Sequence, residues 1–158
     1  MIFVTVGTHE QQFDRLIKKV DEISAKNKHE FIVQLGYSNY KPKNIKKTYK
    51  FIPYDETLNI IKNSDIIITH CGIGTVLSCI RYKKPIIVVP RQRRFNEHTN
   101  DHQMQLAKVL ENDKKAICIY DINYLERAIK SVKKLKIKSY KQGNIVQKIL
   151  KFIDNLGD

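Results

Sequence analysis

No stretch of this chain holds more than four or five consecutive apolar residues, so no segment approaches the roughly 20 needed to cross a bilayer as a helix. The N-terminus has no basic region ahead of an apolar run. It enters Ile2-Phe3-Val4-Thr5-Val6 directly, which does not read as a secretory signal. Tryptophan is absent, and glycine and proline number only six and four, a composition that excludes collagen-like, low-complexity and mucin-like chains. Cysteine is scarce as well. Cys71, Cys79 and Cys118 form no CxxC pair, so neither a disulfide framework nor a zinc site is expected. The three read as small buried thiols in a reducing cytosol.

Acidic side chains are also short in supply, with 16 Asp and Glu against 29 Lys and Arg for a formal net charge of +13. Residues 1–79 carry 11 basic and 8 acidic side chains, residues 80–158 carry 18 and 8, so the excess lies in the second half. Nucleic acid, anionic lipid, a phosphorylated small molecule and an unspecific solvated face all fit such a surface. What is present is enough for a globular unit. With 158 residues, 42% of them hydrophobic, the chain is expected to form one domain with a real core.

Short β-branched runs alternate with segments of helical period, which predicts an α/β fold: a Rossmann-like parallel sheet of about six strands with helices on both faces. Strands are expected at about 2–6, 30–35, 49–52, 65–69, 85–89 and 116–120. Helices are expected at about 10–26, 55–63, 74–82, 99–112 and 122–133. The first helix places Phe13, Leu16, Ile17, Val20 and Ile23 on one face, and Pro85 to Val89 has the unbroken apolar character of a central strand covered on both sides. Beyond the Lys-rich stretch 133–141, an amphipathic helix at about 143–156 carries Ile145, Val146, Ile149, Leu150, Ile153 and Leu156 as a stripe. That stripe either packs on its own sheet or docks on a second protein.

Chemistry concentrates where strands end. His70-Cys71-Gly72-Ile73-Gly74-Thr75 turns a buried strand into a helix at the carboxyl edge of a parallel sheet, where ligands bind in open α/β folds. Its glycines allow close approach, and the free N–H groups of a helix start attract phosphate. It is neither a P-loop nor a dinucleotide fingerprint. Gly7-Thr8-His9 forms a second turn of this kind, in which Thr8 also suits a helix N-cap. The third segment, Pro90 to Gln103, gathers three arginines, two histidines, Glu97 and several amides, residue types that suit diphosphate and sugar. His98 and His102 stand four apart, but no glutamate or third ligand completes a metal set. No GxSxG elbow and no helix-turn-helix, RRM or KH pattern is found.

Three segments together resemble the donor-binding half of a GT-B glycosyltransferase of family 28: Phe3 to Thr8 with Phe13-Asp14, His70 to Thr75, and Val89-Pro90-Arg91 through Glu97-His98 to Asp101-His102-Gln103 with Leu106-Ala107. Within that family it more closely resembles the soluble subunit of two-component bacterial exopolysaccharide and capsule transferases, and the cytosolic subunit of the dolichol-linked N-acetylglucosaminyltransferase. The resemblance spans almost the whole chain. It implies a single GT-B half-domain over residues 1–158 that binds a UDP-sugar and transfers a hexose to a polyprenyl-diphosphate-linked acceptor. No metal or other cofactor is expected. The acceptor would be held by a membrane-anchored partner subunit, which would keep this cytoplasmic chain at the inner face of the cell membrane. Gly7, Thr8, His70, Gly72, Ile73, Gly74 and Thr75 would lie at the UDP, and Pro90, Arg91, Glu97, His98, His102 and Gln103 at the diphosphate and sugar. Ser78 stands where many relatives carry the glutamate that holds ribose. His9 and His98 are candidates for the general base, each equally a phosphate or sugar contact. A self-sufficient homodimeric nucleotide-sugar enzyme and a basic binding module that is not an enzyme are the alternatives.

Overall fold

The computed structural model describes residues 1–133 and 142–155. Six strands form one parallel sheet: β1 (Ile2–Thr5), β2 (Phe31–Gln34), β3 (Lys47–Tyr49), β4 (Ile66–Thr69), β5 (Ile86–Val88) and β6 (Ile117–Cys118), in the order β3-β2-β1-β4-β5-β6. Among the described residues six α-helices accompany them: α1 (Asp14–Lys26), α2 (Tyr54–Asn63), α3 (Ile73–Arg81), α4 (His102–Asn112), α5 (Leu125–Val132) and α6 (Gln142–Asp154). This is the doubly wound arrangement expected from the alternation of elements. Its topological switch point falls between β1 and β4, where neighbouring crossovers depart to opposite faces and leave a crevice at the carboxyl ends.

Period-2 alternation divides the central strands between two cores. Ile2, Val4, Val33, Ile66, Ile68 and Ile87 face α1 and α5, while Phe3, Ile67, Ile86 and Val88 face α3, α4 and α6. In register at the carboxyl end, Thr5 lies between Gln34 and Thr69, and all three are buried. The apolar strands thus end in a polar row. Gln34 donates through Nε2 to the Gly7 carbonyl (3.0 Å), and the Gly7 N–H donates to Thr5 Oγ1 (3.2 Å), which fixes the turn after β1.

Several boundaries differ from expectation. The first helix begins at Asp14, with Phe13 as N-cap and no side-chain cap, so residues 7–13 belong to a site loop and Thr8 caps nothing. The third strand ends at Tyr49, leaving 50–53 as a connection. The segment expected as one helix at about 122–133 divides into a single 3-10 turn, Ile122–Tyr124, and α5. On α6, Ile145 and Ile149 are buried in the chain's own core, with Val146 and Phe152 against it. The described part of the stripe therefore packs at home, with Leu150 and Ile153 left exposed. The Lys-rich run from 134 to 141 and Leu156 lie outside the described residues.

Helix ends supply a first prediction. α3 and α4 each end with a lysine in left-handed backbone, Lys83 and Lys114, both at φ 53°. The Lys83 N–H donates to the Ile80 carbonyl and the Lys84 N–H to that of Cys79; Lys114 and Lys115 repeat the pattern with Glu111 and Leu110. These are glycine positions occupied by lysine. Lys83→Gly and Lys114→Gly should each raise stability by about 1 kcal/mol, seen as a higher urea midpoint with an unchanged denaturant slope.

Candidate functional site

A cleft of about 370 Å³ opens at the switch point, lined by Thr5, Gly7, Thr8, Gln34, Ile52, Tyr54, Thr57, His70, Gly72, Ile73, Gly74 and Thr75. Its floor is the polar row at the strand ends, and one wall is the start of α3. That helix has Gly72 as N-cap, no capping side chain and no acidic residue in its first turn. The first internal bond runs from the Val76 N–H to the Gly72 carbonyl. The N–H groups of Ile73, Gly74 and Thr75 therefore have no partner among the described residues, and nothing negative on this helix competes for them. A Cβ built on Gly74 meets nothing within 4 Å. The space over the helix start is open.

His70 sets the shape of the floor. Its ring lies against both glycine turns, so that a Cβ on Gly7 would stand 2.5 Å from its Cε1 and one on Gly72 2.4 Å from its Nε2. The two glycines admit the histidine, and Gly7 also holds φ +74°. Burial first, then the Arg91 charge, push the His70 pKa down from 6.5 to about 3, and His9 and His98 push the same way; a hydrogen bond with the Thr5 backbone opposes them. The ring is neutral at physiological pH. Because its pKa is depressed in the folded state, the unfolded chain binds the extra proton between about 6.5 and 3. Stability from this residue is complete above pH 6.5 and falls by about 1.4 kcal/mol per pH unit below it. His70→Gln should remove that part of the acid slope in thermal melts from pH 7 to 4.

Seven of the residues expected at a nucleotide line this cleft: Gly7, Thr8, His70, Gly72, Ile73, Gly74 and Thr75. The β5–α4 segment behaves differently. Arg91, expected at a diphosphate, is fully buried. Its Nη1 donates to the carbonyls of Gln11 (2.8 Å), Gln12 (3.0 Å) and Glu97 (3.0 Å), and its Nη2 to that of Val6 (2.8 Å). Glu97, expected near the sugar, is also buried. It accepts both Nε (2.8 Å) and Nη2 (2.9 Å) of Arg15 and the Gln92 N–H (3.0 Å). Pro90 is buried, and its carbonyl accepts from Arg15. These residues tie the β5–α4 loop to the β1–α1 loop. A planar cation that satisfies four carbonyls in a loop interior has the same side chain as one that grips phosphate.

The remaining expected residues stand at this edge outside the cleft lining. Gln103 Oε1 accepts the Arg91 backbone N–H (3.0 Å). His102 begins α4, its N–H donating to Asn100 Oδ1 (3.1 Å). Ser78 donates back to the Gly74 carbonyl of its own helix (2.9 Å). The His98 ring lies against that of His9, tilted by 37° with centroids 4.3 Å apart. Five further residues line the cleft that the sequence did not mark as site residues: Thr5, Gln34, Ile52, Tyr54 and Thr57. For Thr5 and Gln34 the signal was there, a polar residue closing an otherwise apolar strand. Ile52, Tyr54 and Thr57 gave none: residues 49–52 read as strand, and Tyr54 and Thr57 stand at the start of a helix with nothing in the pattern to aim them at the cleft.

A larger depression of about 440 Å³, with Asn27, Lys28, Glu30, Lys46 and Lys47 on its walls, lies at the amino ends of β2 and β3. Parallel sheets bind at the other edge, so size does not mark the site here. Among the described residues no three His, Cys, Asp or Glu side chains gather as a metal-ligand set.

A parallel six-stranded sheet with its open crevice at the β1–β4 switch point has the architecture of one half of a GT-B glycosyltransferase. The glycotransferase of kitacinnamycin superposes with a TM-score of 0.64 over 84% of this chain and 34% of its own, at 18% identity. SnogD from Streptomyces nogalater does so with 0.58 over 99% of this chain and 39% of its own, at 19% identity. The family model described as glycosyltransferase family 28 C-terminal domain matches residues 1–156, and the chain belongs to that family. It is 30% identical over 122 residues to the UDP-N-acetylglucosamine transferase subunit ALG13 of Homo sapiens, a match covering 71% of this chain and 10% of that protein. It is 26% identical over 132 residues to the UDP-N-acetylglucosamine–N-acetylmuramyl-(pentapeptide) pyrophosphoryl-undecaprenol N-acetylglucosamine transferase of Prochlorococcus marinus (strain MIT 9215), covering 79% of this chain and 35% of the relative. The chain thus spans about a tenth and about a third of these relatives.

Proposed function

We propose that this chain is the UDP-sugar-binding catalytic subunit of a two-component glycosyltransferase, which transfers a hexose to a polyprenyl-diphosphate-linked acceptor in exopolysaccharide or capsule biosynthesis. The observation that carries the reading is the uncapped start of α3 in an open cleft, with three amide donors and no acidic side chain in its first turn. Glycosyl transfer from a nucleotide needs negative charge stabilised on the departing diphosphate, and amides fixed at a helix start do this without reorganising during the reaction. The names of the two relatives, one a transferase subunit and the other a transferase acting on a pyrophosphoryl-undecaprenol substrate, support both the partner and the lipid-linked acceptor. In this reading a membrane-anchored subunit supplies the acceptor side and keeps the chain at the inner face of the cell membrane. Among the described residues no helix is long and apolar enough to cross a membrane.

Calorimetry with UDP, AMP and inorganic phosphate tests the donor assignment. UDP should bind more tightly than either; equal or absent binding would reject it. Gly74→Val sharpens the test, since the added side chain would enter the open space over the helix start. UDP binding should fall below detection while the urea midpoint moves by less than about 1 kcal/mol equivalent.

A further inference from the structure

The cleft has no charged residue in its lining, although an anion is proposed for it. Two imidazoles stand beside it. His9 follows Thr8 of the cleft wall, and its half-buried ring lies 4.3 Å from that of His98, at 37°. His9 Nδ1 accepts the Gln11 backbone N–H (3.2 Å), and His98 Nδ1 accepts that of Asn100 (3.3 Å). A ring nitrogen that accepts a hydrogen bond carries no proton, so each neutral ring must hold its proton on Nε2. Neither Nε2 has a partner within the described chain.

We infer that His9 and His98 act as a pair of neutral Nε2–H donors to phosphate oxygens of the nucleotide donor, and that neither serves as the general base. The inference rests on the UDP-sugar reading and deepens it. As a base, either ring would have to accept a proton on Nδ1, at the cost of its backbone hydrogen bond, since Nε2 is already protonated. A second proton would also set a cation against the neighbouring ring and close to further charge. The charged and titratable groups around the pair are Arg91, Arg15 and Glu97 in the buried loop network, His70 on the floor, and His102 and Asp101 at the start of α4. Two arginines against one glutamate leave that network net positive. Burial, then His9, Arg91 and His102, hold the His98 pKa below its usual value, with Asp101 opposing. The field of the buried arginines attracts the anion and adds to the burial that disfavours a charged His98. The base that deprotonates the acceptor hydroxyl then comes from the acceptor-binding side.

Three measurements on the full chain test this. Long-range ¹⁵N–¹H NMR of the imidazoles at pH 7 should show both rings as Nε2–H tautomers; an Nδ1–H tautomer or an imidazolium at either position overturns the inference. UDP titrations in two buffers of different ionisation enthalpy should give the same heat, meaning no proton uptake. Uptake approaching one proton per UDP overturns it. His98→Ala should weaken UDP about tenfold, whereas His98→Gln, which restores a neutral N–H donor, should recover about fivefold of that loss. Equal losses in the two variants would overturn the donor role. If the unaltered chain does not bind UDP, the functional reading falls and the inference with it; UDP binding accompanied by proton uptake removes the inference alone.

Discussion

Gly7→Ala is expected to destabilise the protein by about 3 kcal/mol, from two separable causes. Alanine is strained at the φ of +74° that Gly7 adopts, which costs about 1 kcal/mol. The new methyl would also meet the His70 ring at 2.5 Å, and forcing a buried ring aside costs about 1–3 kcal/mol. Gly72→Ala isolates the second cause, because Gly72 has negative φ and only its contact with His70 is violated. The decisive measurement is a double-mutant cycle by urea unfolding. His70→Ala should recover most of the Gly72→Ala loss but leave about 1 kcal/mol of the Gly7→Ala loss, since removing the ring does not relieve backbone strain. Additive effects would mean that the glycines are needed for some other reason.

Arg91→Met should be still more damaging, at about 3–5 kcal/mol. The guanidinium is fully buried and is the hydrogen-bond donor for the carbonyls of Val6, Gln11, Gln12 and Glu97. Methionine fills similar volume but leaves those acceptors dry and unpaired, and it leaves Glu97 with Arg15 as its remaining cation. Arg91→Lys should rescue little, because an ammonium cannot reproduce the planar fork that spans four carbonyls. Urea midpoints of the three proteins give the stability, and UDP affinity measured well below those midpoints gives the site. If Arg91 gripped the diphosphate directly, Arg91→Lys would keep the stability and lose the affinity. Its side chain ties two loops together, so the opposite order is expected.

Sheet, element order and glycine turns were legible because each rests on a local rule. Ile66-Ile67-Ile68 can scarcely be anything but a buried strand, and Gly72 after His70-Cys71 marks the turn where it ends. Direction was not legible. Residue type says that Arg91 and Glu97 must find partners, but only folding decides whether those partners are a ligand or the loop's own carbonyls. The start of α1 was misplaced for the same reason: helical period alone extends it back to residue 10, while Arg91 holds the Gln11 and Gln12 carbonyls outside a helix. Ile52 enters the cleft from the connection after β3, whose early end no periodicity announced, and Tyr54 and Thr57 enter it from the first turn of α2. On α6, amphipathicity was legible and its customer was not; Ile145 and Ile149 serve the chain's own core.

Because the β1–α1 and β5–α4 loops are cross-tied by Arg91, by Arg15 with Glu97, and by Gln12 Nε2 donating to the Phe95 carbonyl (3.1 Å), both are ordered before any ligand arrives. If the cleft takes the nucleotide proposed for it, capture would carry little ordering entropy in these two loops. On the two-component reading proposed above, turnover would then be timed by the approach and retreat of whole bodies, this unit moving as a piece against its partner.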